Sequence, residues 1–549
     1  MKNYSINVKI KLVTWKNIFD WFENKLLFIV ILLLSSISII SYIYYLNNGL
    51  GLAYNDARSH LDIGRRVVEG LKPGLAQLGS VWLPLPHMLM VPTIWNDFMW
   101  HSGLAGAIIS MISFVATGVA IYMFLKTLGV GLLGRFFAVV VFITNLNILY
   151  LQSTAMTELL LLATMTVGSY YLMLWAKTDK YMYLIKSAIF IFLSTLTRYD
   201  GWFLFLFSIM LIFINTYIKK GVSARFEIFL QSFRDAKNKI ILFSTLGGIG
   251  IVLWFAWNLA IFKDPLYFVF GPFSAHAQQA QLLKAGELDS KSNLGLSTIL
   301  YLYALIYNSY AFTTFLGFVG LVAIWFSKIK IEVKIALFAL MAPLLFNIIA
   351  LFFGHSVLFI QGISGNTWFN VRYGVMLLPA IAVFSGFLID KLKNLRWVLI
   401  GLFVFTTLFT FTSRDAVTID DARIGSSQKN VTEVAGWLSK NTKDRKGYIL
   451  ISAASHDAII FSSGLPMKRF IHEGTGLYWE SAIAAPEKWA RWIVMRTYDD
   501  NDSTWKNVSR TKGFQDYKLV ETYPFATIYE LNEQYLNDLN TTPVFGKQK

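Results

Sequence analysis

The stretch "YNDARSHLDIGRRVVEG" (Tyr54 to Gly70) holds seven acidic, basic or histidine side chains: Asp56, Arg58, His60, Asp62, Arg65, Arg66 and Glu69. It follows closely on the first long apolar run of the chain. Its spacing predicts a helix. Asn55 or Asp56 can cap the N-terminus, and Gly70 is a stop. Asp56 and His60 then lie one turn apart on one face. Leu61, Val67, Val68 and Leu71 form an apolar face suited to a membrane surface. Read alone, this is a capped helix with a solvated face; its surroundings decide whether it is more.

Those surroundings are a membrane protein. The chain has 549 residues, 55% of them hydrophobic, and a mean hydropathy of +0.51. About eleven apolar stretches approach or exceed the length needed to cross a hydrocarbon core. They lie near 26–46, 103–125, 134–151, 157–176, 182–197, 201–218, 240–262, 299–326, 334–354, 372–389 and 397–412. The formal charge of +16 does not indicate nucleic acid, because much of the excess sits in short loops between these stretches. The N-terminal tail and the alternate loops after it hold 21 Lys and Arg; the other set, longer in total, holds 9. This bias predicts a cytoplasmic N-terminus and, with an odd number of spans, an outer C-terminal region. The basic N-terminus lacks the short apolar core and cleavage site of a signal peptide, so the first span is expected to stay. The absence of cysteine excludes disulfides, thiolate metal sites and thiol nucleophiles.

Residues 1–412 thus read as a transmembrane module with outer loops near 47–102 and 263–298. Residues 413–549 change character. The short apolar runs "GYILISA" (Gly447 to Ala453), "WIVMRTY" (Trp492 to Tyr498), "YKLVETY" (Tyr517 to Tyr523) and "ATIYEL" (Ala526 to Leu531) alternate with polar helical stretches such as Val431 to Lys440. This predicts a small soluble α/β domain with a disordered tail after Glu533.

The unusual polar residues fall mostly on the predicted outer side, and ionisable groups near bilayer depth tend to line cavities or substrate paths. "PGLAQLGSVWLPLPHMLMVP" (Pro73 to Pro92) is apolar and rich in Pro. Helix is not expected from Pro84 to Pro86, so the segment reads as a wall or lid next to a cavity; His87 follows the Pro pair. Glu158 starts a span, where a carboxylate suits the helix dipole. Arg198, in the tight turn "TRYDGW" (Thr197 to Trp202), is a charge left at unusual depth. Arg372 opens a late span, where a cation opposes the dipole and calls for an anionic partner. His276 and Gln278 lie in the helix-prone "FGPFSAHAQQAQLLKAGEL" (Phe270 to Leu288), either a surface helix or a substrate-contacting lid.

These features together resemble the GT-C superfamily of membrane glycosyltransferases. The resemblance rests on an acidic residue early in the first outer loop, "MTE" (Met156 to Glu158), the basic turn "LTRYDGW" (Leu196 to Trp202), and "VRYGVMLLPA" (Val371 to Ala380) with its Arg-Tyr-x-x-x-x-x-Pro pattern. The closest branch is the protein-O-mannosyltransferase group that includes the lipid A aminoarabinose transferases. Two departures stand out: Asp56 is followed by Ala57, not by a second acidic residue, and the Trp-Trp-Asp-Tyr-Gly motif of oligosaccharyltransferases is absent.

The resemblance implies an inverting hexosyl or pentosyl transfer from a polyprenyl-phosphate donor to a lipid, glycan or protein acceptor, with membrane lipids around it. Asp56 is the expected general base, and Glu158 a second catalytic carboxylate that holds sugar hydroxyls or assists an acidic centre with Asp56. His60, His87, Arg198, Tyr199, His276, Gln278, Arg372 and Tyr373 are expected at the substrate, the arginines at the carrier phosphate. No cofactor is required by the pattern, although Asp56, His60, His87, Glu158 and His276 could supply ligands to a divalent metal ion. The rival readings are a polyprenyl-linked glycan polymerase or ligase, with its large loop late in the chain, a lipid-linked substrate flippase, needing polar groups along mid-span, and a scaffold, for which Asp56→Asn would be silent.

Overall fold

The computed structural model describes residues 15–219, 226–271, 274–284, 286, 288–424 and 428–540. Among them, eight helices are long and apolar enough to cross a membrane, from Lys25–Asn47 to Leu395–Ile424. Every one of the eleven apolar stretches is helical, but three depart from a single straight span. Leu132–Ile143 and Tyr181–Thr195 have 12 and 15 residues; at about 1.5 Å per residue, neither covers a core of roughly 30 Å. The stretch expected at 299–326 is two helices, Leu294–Ser309 and Ala311–Trp325, bent by 109°.

The bend sits at Tyr310, whose φ of 61° leaves the helical region. Such a break at membrane depth must re-satisfy the freed backbone. Here the Asn308 backbone carbonyl accepts from the side-chain amides of Asn145 (2.7 Å) and Asn147 (3.2 Å), while the Asn308 side-chain Nδ2 donates to the Val371 carbonyl at 2.7 Å. The hydropathy pattern runs through this point without interruption, which is why the sequence reads as one span.

Val371–Lys391 is the most deeply buried of the eight. Glycines bring its neighbours close: a Cβ at Gly320 would fall 2.1 Å from the Phe384 carbonyl oxygen, and one at Gly134 2.5 Å from that of Gly386. Close packing of this kind is how helices associate in lipid. The 3₁₀ turn Val371–Leu377, which carries Arg372, is packed the same way, since a Cβ at Gly374 would fall 2.2 Å from the Ala304 carbonyl oxygen.

The charged stretch forms the helix Asn55–Val68. Tyr54 takes the N-cap position without a side-chain cap bond, so neither Asn55 nor Asp56 acts as the cap. The helix is not solvated: Ala57, Arg58 and the residues from His60 to Arg65 are buried. It lies between the Leu85–Ile94 helix and the Ala453–Ser463 helix of the C-terminal region. The Pro-rich segment also differs from expectation, since Leu85–Ile94 is helical with Pro84 as N-cap and Pro86 in the first turn. The first-turn amides of a helix have no internal partner, so proline is at no loss there.

The C-terminal region carries a five-stranded sheet. Its strands are β1 (Tyr448–Ile451), β2 (Phe470–Ile471), β3 (Ala490–Met495), β4 (Tyr517–Thr522) and β5 (Thr527–Leu531), in the order β2-β1-β3-β5-β4. β1 runs parallel to β2 and β3, while β5 is antiparallel to β3 and β4. Four strands match the runs read from sequence; β2, two residues long, has no legible pattern. After Glu533 the chain forms a 3₁₀ turn, Glu533–Asp538; the rest of the expected tail, 541–549, lies outside the described residues.

Candidate active site

Arg372 is the centre of a charge cluster built from five separate parts of the chain. Its Nη2 donates to Asp56 Oδ2 at 2.6 Å and its Nε to Glu158 Oε1 at 3.0 Å. Its Nη1 lies 3.8 Å from Asp421 Oδ2. Glu158 Oε1 also accepts from Arg198 Nη1 at 3.1 Å, and Arg198 Nε reaches Asp200 Oδ2 at 3.4 Å. Tyr54 donates its hydroxyl to Asp421 at 3.0 Å. The guanidinium of Arg372 lies over the Tyr54 ring, and both arginines lie over Tyr373. The arginine opening a helix against its dipole thus has the anionic partners that its position calls for.

The members of this cluster differ sharply in access. The Glu158 side chain has no exposure and that of Arg372 has 7%, while Asp56 keeps 42%. Asp56 faces a cavity of about 280 Å³. Tyr54, Arg372 and Asp421 line one part of it, and His456, Asp457 and Phe525 of the C-terminal region line another. Glu158 is not part of its wall. It meets the arginines from behind, which suits an anchor better than a contact to sugar.

The histidines do something else. His60 Nδ1 and His87 Nε2 are 2.8 Å apart, both side chains buried, with the His60 ring against Trp82. His60 therefore pairs with His87 and not with Asp56. Burial, helped by the nearby arginines, pushes His60 down to about 3 and His87 well below its usual range, so both rings are neutral. Tyr199 donates to the Val81 carbonyl at 2.9 Å and stacks on Phe268, which ties down the Pro-rich segment. His276 is exposed, its ring against Phe270. Gln278 sits on the same helix, but its side chain lies outside the described residues. The five candidate metal ligands do not converge: among the described residues no group of three His, Asp or Glu side chains is placed to hold a metal ion.

Arg65 and Arg66, near the C-terminal end of the same helix, are held by protein groups. Arg65 is bound by the Ile94 and Trp95 carbonyls, by Asp97 and by Glu69, over the Trp100 ring. Arg66 pairs with Asp457 at 2.6 Å. Asp421 and Tyr54 are members of the site that sequence reasoning missed. Asp421 follows the last apolar stretch on the same predicted side as Asp56, and that was the available signal.

Spans around a buried arginine, an early loop helix and a C-terminal sheet region together make a polytopic helical membrane fold. The chain is similar to the crystal structure of ArnT from Cupriavidus metallidurans bound to undecaprenyl phosphate: TM-score 0.53, 10% identity, 92% of this chain and 99% of that one. The apo oligosaccharyltransferase of Archaeoglobus fulgidus aligns with a TM-score of 0.49 at 13% identity, over 86% of this chain and 70% of that one. At such identities the likeness is one of fold. No family model matches the sequence, and no curated protein matches it in a sequence search.

Proposed function

We propose that the protein is an inverting glycosyltransferase that moves a sugar from a polyprenyl-phosphate carrier to a hydroxyl of a lipid, glycan or protein. The observation that carries this reading is the shared cavity: a half-exposed carboxylate, Asp56, and a buried guanidinium, Arg372, lie in one wall of it. The undecaprenyl phosphate in the ArnT structure, which has the same fold, supports a carrier of that class. The Lys and Arg bias supports a plasma-membrane protein with its N-terminus in the cytoplasm and the sheet region outside.

In the transfer, the acceptor oxygen attacks the anomeric carbon as the bond from that carbon to the phosphate oxygen breaks. The electron pair leaves with the phosphate, and the acceptor proton passes to Asp56. Arg372 offers a planar fork to the departing phosphate. In the resting site its Nη2 is held by Asp56. A carrier phosphate that takes this position leaves Asp56 free to accept the proton, while Glu158 and Arg198 keep the guanidinium aimed. No step requires a metal.

The test is turnover by purified protein in liposomes containing radiolabelled sugars on undecaprenyl phosphate. Release or transfer of label by the wild-type chain, lost in Asp56→Asn, is expected. An inactive wild type across hexose and pentose donors, or full activity in Asp56→Asn, overturns the reading.

A further inference from the structure

The cavity wall also holds a group that the transfer step does not use. Its lining includes three carboxylates, Asp56, Asp421 and Asp457, and two hydroxyls, Ser59 and Ser455. Among the aromatic rings of the lining, those of Tyr54 and His456 are buried, whereas Phe369 is 39% exposed. A large apolar side chain left open beside carboxylates calls for a partner with an apolar face.

The backbone that carries this ring is fixed. Phe359 and Phe369 exchange both amide-to-carbonyl bonds, at 3.0 and 3.2 Å, as an antiparallel bridge. Asn370 follows with a φ of 56°, a left-handed conformation that Asn tolerates, and its side-chain amide donates to the Val357 carbonyl at 2.9 Å. The chain therefore turns sharply after Phe369 and enters the 3₁₀ turn that carries Arg372. Phe369 and Arg372 reach the same cavity from the two sides of that turn.

We infer that Phe369 is the stacking surface for the sugar ring of the donor. A donor whose phosphate lies at Arg372 has its sugar bonded directly to that phosphate, so the ring falls in this part of the cavity. A sugar ring has an apolar face of C–H groups and a rim of hydroxyls. The flat ring of Phe369 suits the face. Asp56 suits the rim, and so do Ser59 and Ser455, neither of which is fully buried. The prenyl chain is a poorer occupant, because it would take three carboxylates out of water without pairing them. The assignment rests on the transferase reading above and names what that enzyme uses to hold the group it transfers.

The test separates the sugar from its carrier. Phe369→Leu keeps an apolar side chain and removes the flat ring; Phe369→Met repeats this with a different side chain; Phe369→Tyr keeps the ring. Each full-length variant is assayed in liposomes with the radiolabelled hexose or pentose on undecaprenyl phosphate that the wild type turns over best. Bare undecaprenyl phosphate is added as a competing inhibitor. Phe369→Leu and Phe369→Met are expected to melt close to the wild-type temperature, since the side chain is partly exposed. In both, KM for the loaded carrier should rise about tenfold, while the inhibition constant of the bare carrier stays within about twofold. Phe369→Tyr is expected to recover most of the lost affinity. An unchanged KM in Phe369→Leu and Phe369→Met overturns the assignment. So does equal weakening of loaded and bare carrier, which would put the ring against the prenyl chain; both results leave the enzyme reading intact. A wild-type protein that turns over none of the donors overturns both.

Discussion

The two ends of the Asn55–Val68 helix carry similar charges in different circumstances. At its N-terminal end Asp56 is partly exposed to a cavity and meets an arginine that it shares with Glu158. At its C-terminal end Arg65 is enclosed by two carbonyls and two carboxylates, and Arg66 is matched to Asp457. Charge therefore does not separate chemistry from architecture here. What separates them is the cavity: Asp56 and Arg372 line it together and can exchange one partner for a ligand, whereas Arg65 and its partners are not in its lining and Arg66 touches it only through Asp457.

The comparison can be broken most sharply at its aspartates. Asp56→Asn should lower transfer by about 10²- to 10⁴-fold, the usual contribution of a general base, without loss of fold, because Glu158 still holds Arg372. Asp62→Asn, two turns on and buried against Trp100 Nε1, should stay within about threefold. Single-turnover rates on the two variants decide between them; equal effects would erase the distinction.

Arg372→Ala should cost both activity and fold. It leaves Glu158 buried beside Arg198 alone, and removing one partner of a buried pair typically costs about 3–5 kcal/mol. Its melting temperature in detergent should be the lowest of the set. Arg66→Ala strands Asp457 at the other end. Burial pushes Asp457 up to about 6 even with Arg66 beside it, so this carboxyl can neutralise itself by taking a proton. The loss should be milder, about 1–3 kcal/mol, and read as a lower melting temperature with transfer still measurable.

A further effect is expected in pH. His60 and His87 are held neutral below their ordinary range, so below about pH 6.5 the unfolded chain binds protons that the folded chain refuses. Their contribution to stability is thus present above that pH and is lost as pH falls toward about 3. Melting temperature from pH 7 to pH 4 should fall less steeply in His60→Gln/His87→Gln than in wild type. An unchanged slope would contradict the neutral pair.

Much of this was legible in the sequence because it depends on local pattern. Apolar runs mark helices whatever their neighbours do, and four of five strands stand out by alternation and by β-branched or aromatic content. Arg198, Arg372, Glu158 and Asp56 could be picked out as charges at unusual positions and placed on one side. The rest depends on contacts between distant residues. His60 meets His87, 27 positions away, rather than Asp56 on its own face. Asp421 reaches Arg372 from beyond the last apolar stretch read in the sequence, 397–412. The fates of Arg65 and Arg66 rest on Asp97 and Asp457, and the latter is 391 residues distant. The break at Tyr310 is repaired by asparagines from another helix, so no local signal marks it.

The central claim is that Asp56 acts on the acceptor proton while Arg372 holds the carrier phosphate. It is tested most directly by measuring, on one preparation of Asp56→Asn, both the dissociation constant for undecaprenyl phosphate and the single-turnover rate of sugar transfer. The account predicts binding within about threefold of wild type and transfer slower by at least about a hundredfold. Transfer at the wild-type rate, or a loss of binding that accounts for the whole loss of rate, would contradict it.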